Sequence, residues 1–459
     1  MMLTKSILSS FILLFLQRTT AVAHSDPSVE ETTCSVESCD NANNNDDKDS
    51  YLHDLLKRVH THEFYINGTW VKSRSIDNET LTLFDPSTAK SFATIAAGNA
   101  KDVDFAVRAA HEALPAWSLH TTPQQRKVHV ESLLEAFQEL QEEMAFLISR
   151  EMGAPIEMAL SSQVAAGLYH IEGFLEVIDE FEFVRPLPNI HADVSEAATT
   201  ILMDPVGVVA AITPWNWPLY QITAKVISAL LVGCTVVLKP SEITPLSALL
   251  FAEAMHNAKF PPGVFNLVNG EGSVVGQELS LHPLVNMVSF TGSARVGALV
   301  SRAAADTFKR VLLELGGKGA TIIFDDVGEE WAEEILAEID FSNSGQTCNY
   351  ASRWLVQRSL YERAISSAKQ AAEATRVDSA HLPGHGHIGP VSSMVQYERI
   401  QALLQAGIEQ GATVVTGGLG RPDHLKDSPG AFVRPTIFAD CTPDMRIYQE
   451  ELFGPVICF

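Results

Sequence analysis

The sequence predicts an α/β protein built on a Rossmann-like parallel sheet, and three observations carry that prediction. Short apolar runs rich in β-branched residues recur through the middle of the chain: Val206–Ile212, Thr235–Lys239, Val264–Val268 and Val285–Phe290. Between them lie apolar stretches long enough for helices, Leu219–Leu231 and Ser247–Ala258. Buried strands alternating with helices imply a parallel sheet covered on both faces. The alternation resumes after Glu314, so a second α/β unit is expected to follow the first.

From the N-terminus, Lys5 precedes the apolar run Ile7–Leu16, and Ala21-Val22-Ala23 offers a small-residue cleavage site. This is the layout of a secretory signal peptide over residues 1–23, and the run is too short to span a bilayer. It directs the chain to the secretory pathway and the ER lumen; the alternative, a start codon placed too early, leaves it cytoplasmic. Residues 24–50, rich in Ser, Asp, Glu and Asn, lack apolar periodicity and are expected to be a disordered leader carrying Cys34 and Cys39.

The folded part is expected to begin near Tyr51, with a first domain over 51–313. Glu63–Val71 reads as a hairpin around Asn67-Gly68. Apolar residues at helical spacing from Lys101 to Met152 and from Pro155 to about Ile178 predict an outer helical layer. Residues 183–203 change character, with Pro186 and Pro188 ahead of the β-prone Thr199–Leu202, and read as extended strands joined by a turn. The second unit, 314–459, reads as strands at Ala320–Phe324 and Trp354–Val356 and helices at Glu329–Asn343, Ser359–Ala374 and Gln396–Gln410.

Composition excludes several functions. The chain has 459 residues, 46% hydrophobic and 19% charged, and a formal net charge of −24, the wrong sign for a nucleic-acid-binding footprint. Six cysteines in this length do not form a disulfide framework. No metal site is expected: His53, His60 and His62 lack ligand spacing, and His381, His385 and His387 sit in a Gly/Pro-rich turn.

Five segments carry chemistry. Cys348 ends Phe341-Ser342-Asn343-Ser344-Gly345-Gln346-Thr347-Cys348, and Glu314 stands in Leu313-Glu314-Leu315-Gly316-Gly317-Lys318. Upstream lie Thr213-Pro214-Trp215-Asn216-Trp217-Pro218, Lys239-Pro240-Ser241-Glu242 and Phe290-Thr291-Gly292-Ser293. A thiol that attacks and a carboxylate that activates water are the two groups covalent acyl chemistry needs. Taken singly, each residue is ordinary: a lone cysteine is more often core filler, and a glutamate more often solvated. In this order the segments resemble the NAD(P)-dependent aldehyde dehydrogenases, from about Tyr65 to the last residue.

The resemblance implies the roles. Cys348 attacks the aldehyde to give a thiohemiacetal, and Glu314 activates the water that hydrolyses the later thioester. Asn216 and the Cys348 backbone N–H hold the oxyanion. Lys239 and Glu242 contact the adenosine ribose. Gly292 and Ser293, opening a helix, suit the pyrophosphate. Trp215, Glu451 and Phe453 belong to the cofactor side, the last two at the nicotinamide. Glu242 would repel a 2′-phosphate, so NAD is expected, with NADP as the alternative. The partners implied are a small aldehyde and further copies of the chain, a dimer or tetramer joined through the 183–203 arm. Neither nucleic acid nor, after signal removal, a membrane is expected. Two positions depart from the pattern, the bulky Tyr350 and Gly319. The family places the Glu450–Val456 segment well before its C-terminus, so the 314–459 domain is expected to be incomplete. Two rival readings stand beside this one: a semialdehyde dehydrogenase of narrow specificity, and a truncated, non-catalytic nucleotide- or partner-binding protein.

Overall fold

Five parallel strands form the core of the first unit, in the spatial order Arg310–Leu315, Met287–Gly292, Val208–Ile212, Thr235–Lys239, Phe265–Leu267. The structure is a computed structural model that describes residue 8 and residues 45–75, 79–186, 200–328 and 339–459. The expected signal peptide (Leu8 apart), residues 24–44 with Cys34 and Cys39, the turn of the arm and residues 329–338 of the helix expected at Glu329–Asn343 lie outside the described residues.

Val208–Ile212 and Thr235–Lys239 are buried at every position, which is why they read as continuous apolar runs and not as alternating ones. One face of the sheet is covered by Ala100–Leu119, through Val103, Ala106, Val107 and Ala110. The other is covered by Pro218–Leu231 and Pro245–Asn257, each opened by a proline whose missing N–H costs nothing at a helix start. Those two helices lie beneath Pro123–Glu139, Gln141–Met152 and Ala165–Glu180, so they are apolar nearly all round. The N-terminal hairpin, Glu63–Ile66 with Thr69–Lys72, turns through Asn67 and Gly68 at φ 53° and 78° and adds to the same sheet at Tyr65↔Leu267.

A five-stranded sheet organises the second unit, in the order Ala320–Ile323, Arg353–Val356, Val456–Cys458, Thr436–Ala439, Thr413–Thr416, with only the last strand antiparallel. Tyr361–Ala374 packs Ala364, Ala368 and Ala372 into one core cluster, and Met394–Glu409 packs Ile400, Leu403 and Leu404 into another. Val184–Pro186 and Thr200–Leu202 pair antiparallel as the base of the expected arm.

Three expectations need adjusting. The folded part, expected to begin near Tyr51, takes in the end of the stretch read as a leader: a helix runs over Asn45–Arg58, and Leu52, Leu55 and Val59 form an apolar stripe 7%, 4% and 4% exposed that docks on the main core. The boundary expected at 313/314 falls inside strand Arg310–Leu315, and the passage from one sheet to the next lies at residues 316–319. The second helical region contains a π-helical turn, Ala159–Val164, ahead of Ala165–Glu180. Among the described residues no helix is long and apolar enough to cross a membrane.

Candidate active site

Because the five core strands run parallel, their C-terminal ends share one edge, and the order reverses on either side of Val208–Ile212. A crevice at such a switch point is where open α/β sheets bind ligands. Asn216 follows Val208–Ile212, Lys239 ends its strand, Ser293 follows Met287–Gly292, and Glu314 sits opposite Thr291 near the end of the last strand. The fold therefore gathers four segments far apart in sequence along one rim.

Cys348 reaches that rim from the second unit and is solvent-accessible. The turn leading to it is backbone-strained: Asn343, Ser344 and Gly345 all adopt left-handed φ, at 51°, 53° and 69°. Gly345 is required there, since a Cβ would lie 2.1 Å from the Gly454 carbonyl oxygen. The Ser344 hydroxyl donates to the Gly389 carbonyl at 2.7 Å and holds its own unfavourable conformation.

Side-chain amides lock this turn to Asn216. The Asn216 Nδ2 donates to the Gln346 carbonyl at 3.0 Å. Asn343 Nδ2 donates to the Asn216 carbonyl at 3.0 Å and to the Gln346 carbonyl at 3.2 Å. Gln163 Nε2, from the π-turn, donates to the Asn216 carbonyl at 3.0 Å and to Asn343 Oδ1 at 3.2 Å. The Gln346 side chain ties back to the Asn343 carbonyl and accepts from Ser392 N–H. Beside the thiol, Trp217 Nε1 donates to Thr347 Oγ1 at 3.1 Å.

Charges converge on the same point. Partial burial pushes the Cys348 thiol up, and the carboxylates of Glu451 and Glu314 push it further. Glu451 leans on the Glu314 loop, accepting from Gly317 N–H at 3.3 Å, and burial pushes its own carboxyl up. Lys225, 1% exposed, donates to Thr291 Oγ1 at 2.7 Å and Gln221 Oε1 at 3.2 Å. Its burial brings the ammonium down to about 8, against the opposing pull of Glu314 and Cys348. Tyr220 feels the same two groups, its phenol pushed up chiefly by burial, and its ring lies 4.2 Å from that of buried His170. Lys225, Tyr220 and Gln163 were not singled out from the sequence. The signal for Lys225 was present: a lysine inside an otherwise apolar helix has to be paired or functional.

Along the nucleotide side, Lys239 is 2% exposed and donates to Glu242 Oε2 and to the Pro240 carbonyl, both at 2.9 Å. Burial pushes Glu242 up, but Lys239 and nearby backbone N–H groups outweigh it and hold the carboxyl below its usual range. Ser293 caps Ala294–Ala305, accepting from Val296 N–H, and Gly292 is pressed against the Phe290 ring, where a Cβ would lie 2.6 Å away. Trp215 and Phe453 meet edge-to-face at 5.4 Å, and Phe453 holds a left-handed φ of 54°. Along the same edge, buried Asn269 leaves both atoms of its amide, and Thr213 its hydroxyl, without a partner among the described residues. Orphaned buried polar groups beside an ion-paired Lys and Glu fit a polyhydroxylated nucleotide. The Tyr350 ring is packed into the second unit's core and not into the rim. Among the described residues no His/Cys/Asp/Glu cluster can hold a metal ion, and His381 pairs with Asp85 at 2.6 Å.

The family model described as "Aldehyde dehydrogenase family" matches residues 70–459. A 3-succinoylsemialdehyde-pyridine dehydrogenase of a Pseudomonas species is 44% identical over 399 residues, covering 86% of this chain and 80% of its own. An aldehyde dehydrogenase of Bartonella henselae superposes with a TM-score of 0.81 at 49% identity, covering 87% of this chain and 81% of its own. A mutant of aldehyde dehydrogenase C from Pseudomonas syringae, solved with NAD+ and octanal, gives 0.80 at 42% identity, with 87% and 79% covered.

Proposed function

The chain belongs to the aldehyde dehydrogenase family, and from that premise we propose how its residues perform the reaction. The protein is an NAD-dependent aldehyde dehydrogenase, oxidising an aldehyde to a carboxylate through a thiohemiacetal and a thioester on a cysteine. NAD, when bound, supplies the hydride acceptor.

Cys348 is the nucleophile. Its Sγ, having given up its proton to solvent, bonds as the thiolate to the aldehyde carbon, and the carbonyl oxygen takes the negative charge. Asn216 and the Cys348 backbone N–H stabilise that oxyanion; such donors matter because charge develops on the oxygen only as the reaction proceeds. After hydride leaves the former aldehyde carbon, Glu314 takes a proton from water, whose oxygen attacks the thioester and releases the carboxylate and the Cys348 thiol. Lys225 steadies the negative charge shared between Glu314 and Cys348, since it is a buried cation that both groups attract. Lys239 and Glu242 hold the adenosine ribose, and Glu242 disfavours a 2′-phosphate. Gly292 and Ser293 face the pyrophosphate, and Trp215, Glu451 and Phe453 border the nicotinamide. The observation supporting this assignment is the convergence of an accessible thiol, a carboxylate and a buried amide donor from three distant segments. NADH formation by the wild type and its loss in Cys348→Ala tests it; undiminished turnover in that variant overturns it.

A narrower substrate reading is a semialdehyde carrying an aromatic ring. It is supported by the 44% identity to a dehydrogenase named for such a substrate and by Trp217 and Tyr220 beside the Cys348 loop. Equal kcat/KM for short aliphatic and ring-bearing aldehydes would count against it. The apolar side chains of Val184 and Leu202, 57% and 60% exposed on the arm, support a homo-oligomer, which light scattering on the purified protein tests. Residues 1–23 act as a secretory signal; N-terminal sequencing of the protein from its native cells, finding Met1 or His24 first, decides that.

A further inference from the structure

We propose that Gln163 is a positioning residue for the oxyanion site, acting through Asn216. The inference rests on the reading of Asn216 given above.

Gln163 is fully buried and lies on the π-turn Ala159–Val164, in the outer helical layer. A π-turn is a rare, less favourable geometry that recurs at functional sites. Its Nε2 faces three acceptors, the Asn216 carbonyl at 3.0 Å, Asn343 Oδ1 at 3.2 Å and, more weakly, Met152 Sδ at 3.5 Å, while its Oε1 has no partner among the described residues. The side chain is therefore held in place by its donor alone. A buried glutamine serving only as packing would be better served by leucine or methionine, which leave no acceptor orphaned.

The hydrogen-bond senses allow one arrangement. The Asn216 and Gln346 carbonyls can only accept. They fix the NH₂ end of the Asn343 amide, and its Oδ1 end accepts from Gln163 Nε2 at 3.2 Å. Asn343 Nδ2 then donates to both carbonyls, at 3.0 and 3.2 Å. The Gln346 carbonyl in turn selects the NH₂ end of the Asn216 side chain, at 3.0 Å. One N–H of that amide is spent on Gln346 and the second remains for a substrate oxygen. Without Gln163, the Asn216 main chain loses one of its two side-chain donors and Asn343 Oδ1 loses the Gln163 Nε2 bond, so the segment that aims the second N–H is held less firmly. Small errors of aim are costly because an oxyanion donor works only when pre-organised.

The test is a double-mutant cycle on the full chain with saturating NAD and an aldehyde that the wild type turns over. Gln163→Met, close in shape but lacking the donor, is expected to lower kcat by about 10-fold, a fraction of what losing an oxyanion donor costs. The aldehyde KM and the rate of Cys348 alkylation by iodoacetamide should stay within about 2-fold of wild type, as for a group acting only in the transition state. In an Asn216→Ala background the same substitution should cost less than about 2-fold, because nothing is left to aim. Gln163→Glu restores a donor only when its carboxyl is protonated, so its kcat relative to wild type should fall as pH rises. A full 10-fold loss in both backgrounds overturns the proposal, as does wild-type kcat in Gln163→Met. If Gln163→Met fails to fold, a pH-independent ratio for Gln163→Glu overturns it instead. Wild-type kcat in Asn216→Ala alone would show that the oxyanion reading itself has failed.

Discussion

Replacing Asn216 by alanine separates catalysis from stability, and the structure sets both magnitudes. Among the described residues the Asn216 side chain makes one hydrogen bond, to the Gln346 carbonyl at 3.0 Å. That carbonyl keeps Asn343 Nδ2 at 3.2 Å after the change, so no buried acceptor is orphaned. The Asn216 main-chain carbonyl keeps both of its donors, Gln163 and Asn343. The loss in stability should then be that of one ordinary hydrogen bond plus a small cavity, about 1–2 kcal/mol. In a protein of this size that lowers Tm by no more than about 4–8 °C. Losing an oxyanion donor, by contrast, costs ~10²–10³ in kcat, or about 2.7–4 kcal/mol. Steady-state NADH formation and a thermal melt on the same preparation measure the two together. A kcat within about 3-fold of wild type, well short of the expected loss, would refute the oxyanion assignment. A collapse of the melt would refute the claim that the surrounding amides stand without this side chain.

Glu451→Gln removes one of the two negative charges that add to burial in raising the Cys348 thiol above its ordinary value. Less repulsion favours the thiolate, so the pH profile of alkylation by iodoacetamide should move to lower pH; an unmoved profile contradicts the placement of Glu451 beside the thiol. Glu242→Gln should raise the NADP-to-NAD ratio of kcat/KM by roughly 10-fold, since it removes a like charge from a bound 2′-phosphate; an unchanged ratio means that Glu242 does not face the ribose. Gly345→Ala places a Cβ 2.1 Å from the Gly454 carbonyl oxygen in a left-handed residue. Strain and overpacking together should cost about 2–4 kcal/mol and displace the turn that presents Cys348. A wild-type melt for that variant would mean the 453–455 segment does not lie against the turn.

What the sequence disclosed and what it hid divide along physical lines. The parallel strands were legible because burial on both faces makes Val208–Ile212 and Thr235–Lys239 apolar without interruption. The hairpin was legible because Asn67-Gly68 is the dipeptide that two left-handed residues in a tight turn demand. Cys348, Glu314 and Asn216 were singled out through motif resemblance, and the fold brings their segments to one rim. The groups that set the site's geometry were not legible. Gln163 and Asn343 are distant in sequence, and nothing in Ser161-Ser162-Gln163 signals that a π-turn aims its amide at Asn216. The left-handed run Asn343–Gly345 ends against Gly454, an approach that leaves no room for a Cβ at Gly345 and joins segments more than a hundred residues apart. Lys225 carried a signal in its apolar helix, but its partners Thr291 and Glu314 depend on strand register, which sequence periodicity alone does not supply.

The central claim is that one thiol carries the substrate and one carboxylate releases it. Incubating Glu314→Gln with NAD and an aldehyde, then digesting it and weighing the Cys348 peptide, tests that claim directly. The account predicts a single burst of NADH, little further turnover because the general base is gone, and an acyl group retained on Cys348. Full turnover with an unmodified Cys348 peptide, or an acyl group on Cys234, Cys441 or Cys458 instead, would contradict it.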